Sequence, residues 1–91
     1  MYVHLGADCL TRVDELVAIL RADLTRDGPT REMVQSLRAR GKLVLLPGGA
    51  PRSLVLTARG AFLSPFSTLT LLKRARQWSP GGKEDGVGRT Q

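Results

Sequence analysis

His4, Cys9 and the adjacent pair Asp14-Glu15 are the side chains in this 91-residue chain best suited to catalysis or metal binding. His4 has no second histidine or cysteine at ligand spacing, so no metal site is expected. Cys9 is the sole cysteine, which excludes an intrachain disulfide and fits a reducing compartment. It reads as a small core residue rather than a reactive thiol. Asp14 and Glu15 have no base or nucleophile beside them. Gly48-Gly49 lies between two apolar runs and not at the start of a helix, so it is no phosphate-cradling loop. Without a nucleophile, base and orienting group together, the chain does not read as an enzyme and no cofactor is expected.

Charge is the stronger signal. The formal net charge is +6. The acids Asp8, Asp14, Glu15, Asp23 and Asp27 outnumber the bases Arg12, Arg21 and Arg26 in residues 1–27. From 28 to 76 the balance reverses: Arg31, Arg38, Arg40, Lys42, Arg52, Arg59, Lys73, Arg74 and Arg76 face Glu32 alone. A basic surface on a folded region attracts polyanions, of which nucleic acid is the commonest in a cytosol. The plainer alternative is a solvated basic face without a partner. The N-terminus lacks the basic and apolar pattern of a signal peptide, and no apolar run has membrane-spanning length. A cytoplasmic protein with no membrane partner is expected.

These charges need elements to position them. A chain of this length makes one small domain, which gains from association. The stretch Gly41–Pro65 is its centre. Short apolar runs at Leu43–Leu46, Leu54–Leu56 and Ala61–Leu63 are divided by Pro47–Pro51 and by Ala58-Arg59-Gly60, where a tight turn puts Gly60 at positive φ. The pattern predicts a three-stranded antiparallel meander with a basic residue, Arg52 or Arg59, beside each turn. Tyr2–Leu5 predicts a strand ending at Gly6, with Ala7-Asp8 as a turn and Cys9–Thr11 opening a second strand. Val13–Leu24 fits a helical stripe, whereas Leu16–Leu20 alone fits a buried strand; periodicity leans to helix without separating them.

A polar connection ending in Asp27-Gly28-Pro29 leads to a helix from Pro29 or Thr30. Glu32 falls in its first turn, Met33, Val34 and Leu37 form its apolar stripe, and Gly41 lies just past its end. Arg31, Gln35 and Arg38 share the opposite face, as a solvated surface or a phosphate-contacting one. A second helix is predicted from Ser64 as N-cap and Pro65 as first residue. Phe66, Leu69, Leu72 and Ala75 point to the core, Leu71 and Trp78 are further core candidates, and Lys73, Arg74 and Arg76 crowd the end. Those cations suit the helix dipole and equally a basic patch. Residues 79–91 are rich in glycine and polar groups and read as a disordered tail after a domain spanning 1–78.

The ordered combination of Met1–Gly6, Arg38–Leu43, Pro51–Thr57, Leu63–Thr68 and Leu71–Arg74 resembles the RemA/RemB extracellular matrix regulators, more closely the RemB branch. The resemblance covers about residues 1–76. It implies a small bacterial DNA-binding protein that works as a homo-oligomer, a ring in the RemA branch, with roles in biofilm matrix expression. It also implies that Leu16–Leu20 is a strand. The fold expected is therefore α+β: a small antiparallel sheet of about five strands with two helices, one after the second strand and one C-terminal. The chain departs from the RemA pattern in the loop before Leu54, where only Arg52 is basic instead of adjacent arginines. It departs again at Asp14-Glu15, near which the RemA branch uses an arginine.

Double-stranded DNA is thus the expected partner, held through phosphates by Arg52 with Arg31, Arg38, Arg59, Lys73, Arg74 and Arg76. The alternatives are an oligomeric scaffold without DNA binding and an RNA-binding accessory. The latter lacks an aromatic platform, because Tyr2, Trp78 and the two phenylalanines are scattered.

Overall fold

A computed structural model describes residues 1–77; Trp78 and the predicted tail at 79–91 lie outside the described residues. The class is α+β. Six strands form two sheets: β1 (Tyr2–Gly6), β2 (Cys9–Arg12), β3 (Leu16–Arg21), β4 (Leu43–Leu45), β5 (Ser53–Thr57) and β6 (Gly60–Ser64). The helices are α1 (Gly28–Ala39) and α2 (Thr68–Gln77). The first two strands pair as an antiparallel hairpin, and the other four form a sheet in the order β3-β5-β6-β4.

The 16–20 segment is a strand, as the family resemblance implied and against the lean of its periodicity. A 3₁₀ turn at Val13–Glu15 separates it from β2, so α1 follows the third strand and not the second. A register shift between Leu16 and Ala18 turns Val17 out to solvent. Bulged strands break strict alternation, which is why this stretch mimics a helical stripe.

The meander expectation is corrected in one pairing. Strands β5 and β6 form the tight hairpin, closed by Ala58-Arg59 with Gly60 at φ +152. The third strand, β4, lies beside β6 and runs parallel to it, with Leu43↔Ala61 and Leu45↔Leu63 as partners. The cause is α1, a crossover connection that returns the chain in the direction of β3. The loop at 46–52 then only has to step past one strand, a gap of about 10 Å that a few extended residues span.

Strict alternation along β5 and β6 builds two cores. Leu54, Ala61 and Leu63 face α1 and pack with Val34, flanked by Met33, Leu37, Leu20, Leu43 and Leu56. Val55 faces the other way and packs with Val3, Leu5, Leu46 and Leu71, flanked by Phe62, Phe66 and Ala75. The four-stranded sheet is therefore sandwiched between α1 and a layer made of the β1–β2 hairpin and α2. Each fully buried leucine contributes on the order of 2 kcal/mol.

Helix ends confirm one expectation and move the other. Gly41, at φ +70, closes α1 with Gly41 N–H donating to Arg38 O and Lys42 N–H to Leu37 O, the paired bonds of a Schellman motif. The α1 start is one residue earlier than expected, and Glu32 falls beyond its first turn. The start of α2 moves from Ser64 to Ser67, whose Oγ accepts the Thr70 N–H at 3.2 Å. Ser64 instead ends β6, where its buried hydroxyl donates to Leu5 O and accepts the Phe66 N–H. That shift rotates the buried face. Leu71 is fully buried, while Leu69 and Leu72, expected in the core, are 75% and 40% exposed.

Candidate nucleic-acid interface

Antiparallel pairing of β3 with β5, from Leu16↔Thr57 to Arg21↔Ser53, decides what surrounds the basic residues at each end of β5. Arg52 precedes the start of the strand. Its N–H donates to Ser64 O at 2.8 Å, and its carbonyl accepts the Ala22 N–H at 3.1 Å. Its backbone is thus pinned on two sides while its side chain stays exposed. The end of β3 and the 3₁₀ turn at Ala22–Arg26 bring Arg21 and Arg26 alongside. Together they line a pocket of about 410 Å³ whose apolar part is Ala22, Pro51 and Leu63.

Within that pocket Arg21 is already occupied. Its Nε and Nη2 donate to the two Asp23 carboxylate oxygens at 3.1 and 2.5 Å. The hydrogen bond from Arg21 holds the Asp23 carboxyl below its ordinary range, with the Arg26 charge adding in the same direction. Among the described residues, Arg26 and Arg52 have no carboxylate within ion-pair distance.

The other end of β5 differs. Arg59, in the β5–β6 turn, donates through Nε to Glu15 Oε2 at 3.2 Å, and the Ala58 N–H donates to Glu15 O at 2.9 Å. Beside it Arg12 pairs with Asp14 at 2.8 Å. Asp14 and Glu15, where the resemblance marks a departure from the RemA pattern, thus pair with basic residues of this chain.

The remaining cations sit on the two helices. Arg31 and Arg38 are exposed on α1, on one side of the sheet. Lys73 and Arg76 are exposed on α2, on the other side, where they flank Leu69 and Leu72 in an open groove. Arg74 serves the fold: its guanidinium lies 4.6 Å over the Phe66 ring and donates to His4 O at 3.1 Å. The chain therefore gathers Arg31 with Arg38 and Lys73 with Arg76, but divides these pairs between opposite faces and leaves Arg52 and Arg59 at opposite strand ends.

Arg21 and Arg26 were not singled out from the sequence. They sit in the net-acidic first third, and nothing local marks which strand would receive them. His4 Nε2 lies 2.6 Å from Ala7 O and the ring stacks edge-on against Phe66 at 5.5 Å, both structural contacts. Cys9 is half-buried, and its desolvation pushes the thiol pKa up. Among the described residues, no cluster of three or more His, Cys, Asp or Glu side chains could hold a metal, and no helix is long and apolar enough to cross a membrane.

No protein-family model matches the chain. It is 32% identical over 76 residues to extracellular matrix regulatory protein B of Bacillus subtilis (strain 168), covering 84% of this chain and 91% of that protein.

Proposed function

The chain belongs to the RemA/RemB family of extracellular matrix regulatory proteins, and from that premise we propose that it is a DNA-binding regulator working as a homo-oligomer, closer to the RemB branch. The observation that carries this reading is the exposed Arg52, without a carboxylate partner among the described residues and braced by backbone bonds at the start of β5. A guanidinium free of carboxylates needs no ion pair broken before it meets a phosphate. Such contacts give affinity and salt dependence with little sequence readout.

One subunit presents few such groups on any single side, so affinity requires repetition in an assembly. The exposed apolar side chains of Tyr2, Leu10, Val17, Leu45 and Leu69 supply surface for self-association. Light scattering and duplex-DNA binding at low and physiological salt test both parts. The expected outcome is an oligomer whose DNA affinity falls steeply with salt and is weakened by Arg52→Ala. A monomer, or binding indifferent to salt, overturns the proposal.

The division of Arg31 and Arg38 from Lys73 and Arg76 across the sheet favours a second reading: an oligomeric interaction scaffold that does not bind DNA. An oligomer without DNA affinity at low salt selects it.

A further inference from the structure

The pocket between the Ala22–Arg26 turn and the loop before β5 has features that contact with a DNA backbone does not require. We propose that it binds a small phosphate monoester of nucleotide size, with Arg26 and Arg52 on the phosphate and the Ala22 and Pro51 surface under the organic part.

Charge sets the ligand class. The pocket lining carries Arg21, Arg26 and Arg52 against Asp23. The Arg21–Asp23 pair cancels internally and keeps the carboxylate turned to its own partner. Two positive charges are left, and a phosphate monoester carries about −1.5 to −2 near neutral pH, whereas a backbone diester carries one. Guanidinium groups also match phosphate oxygens in a bidentate manner that lysine does not. Size sets the rest. The depression is open to solvent on one side, and at about 410 Å³ it has room for more than one phosphate. Backbone bonds at Ala22 and Arg52, with the Thr25 hydroxyl donating to Ala22 O at 2.6 Å, fix the backbone from which the pocket's arginines project before a ligand arrives. Because Arg52 is shared, ligand and duplex exclude one another; this last step alone rests on the DNA reading.

The test is a titration of the full chain with adenosine 5′-monophosphate, guanosine 5′-monophosphate, the two nucleosides and inorganic phosphate, followed by amide chemical shifts without DNA. At least one nucleotide is expected to give saturable shifts at Ala22, Arg26, Arg52 and Leu63. Arg26→Gln and, separately, Arg52→Gln should each weaken it tenfold or more, with folding checked by the dispersion of the same spectra. Both nucleosides and inorganic phosphate should bind at least tenfold more weakly. The absence of saturable shifts, shifts indifferent to both variants, or inorganic phosphate binding as tightly as the nucleotide overturns the proposal. Duplex binding is scored separately on the same samples. Nucleotide binding without DNA binding leaves the pocket standing and sinks the DNA reading, and the converse sinks the pocket alone.

Discussion

The two ends of β5 carry the same chemical group and treat it in opposite ways. At its start, Arg52 has no acidic partner among the described residues and stands beside Arg21 and Arg26. At its end, Arg59 is held by Glu15. The difference comes from the neighbouring strand. Antiparallel β3 begins just after Asp14-Glu15 and ends at Arg21, so it brings acids to one end of β5 and bases to the other. A basic turn becomes an available cation or a spent one according to strand direction, not according to its own sequence.

The contrast depends on β5 keeping its register, and the largest effect should come from removing that support. Leu54 is fully buried against α1. Leu54→Ala should cost about 2–5 kcal/mol, a large share of the stability of a domain this small. Urea unfolding measures the loss. DNA affinity should fall with it, because both strand ends lose their partners together.

The turns at the two ends should also differ in tolerance. A Cβ at Gly60 would lie 2.8 Å from the backbone oxygen of Lys42, at φ +152. Gly60→Ala should therefore cost about 2 kcal/mol or more, through strain and a pushed β4–β6 pair. A Cβ at Gly49 meets nothing within 4 Å, so Gly49→Ala should cost about 1 kcal/mol from its positive φ alone. Equal losses in thermal unfolding would show that the Pro47–Arg52 loop is packed as tightly as the hairpin.

For binding, the comparison predicts Arg52→Ala to weaken duplex affinity by about tenfold and to reduce the salt slope by about one contact per subunit engaged. Arg59→Ala should change affinity less than about twofold, since its charge is already offset. Anisotropy titrations across a salt series distinguish the two. If both variants fall equally, the ion pair with Glu15 opens on DNA and the contrast between the ends is lost.

Much of this arrangement was legible in the residues, and the failures have identifiable causes. Gly41 as a helix stop, Gly60 in a tight turn and Met33, Val34 and Leu37 as the apolar stripe of α1 are local facts, decided by backbone freedom and by periodicity. What escaped was non-local. Leu43–Leu46 reads as a strand, but only the crossover by α1 makes β4 parallel to β6. Ser64 reads as the cap of α2, but Leu5 O takes its hydroxyl and Ser67 caps the helix instead. The three-residue shift then exposes Leu69 and Leu72. Arg26 lies in the net-acidic third and joins Arg52 only because β3 and β5 pair in that register. The seven cations could be named from the sequence; their division over two faces and two strand ends could not.

The smallest effect is the sharpest test of the comparison, because it asks for a gain. Glu15→Gln keeps the Glu15 carbonyl that accepts the Ala58 N–H, so the turn should hold its shape, and it removes only the charge that occupies Arg59. The pair is exposed at Arg59 and half-buried at Glu15 and contributes on the order of 1 kcal/mol, so stability should fall by about that at most. The freed guanidinium should raise duplex affinity by a few fold at low salt and steepen the salt slope by up to about 0.9 per additional phosphate met. Removing any acid raises the net charge, so Asp8→Asn is the control: it deletes the same charge in the β1–β2 turn and releases no cation, since Asp8 forms no ion pair among the described residues. A gain confined to Glu15→Gln means that the end of β5 is held out of DNA binding by its strand partner. An equal gain from Asp8→Asn means that total charge, and not the position of any one arginine, governs the interaction.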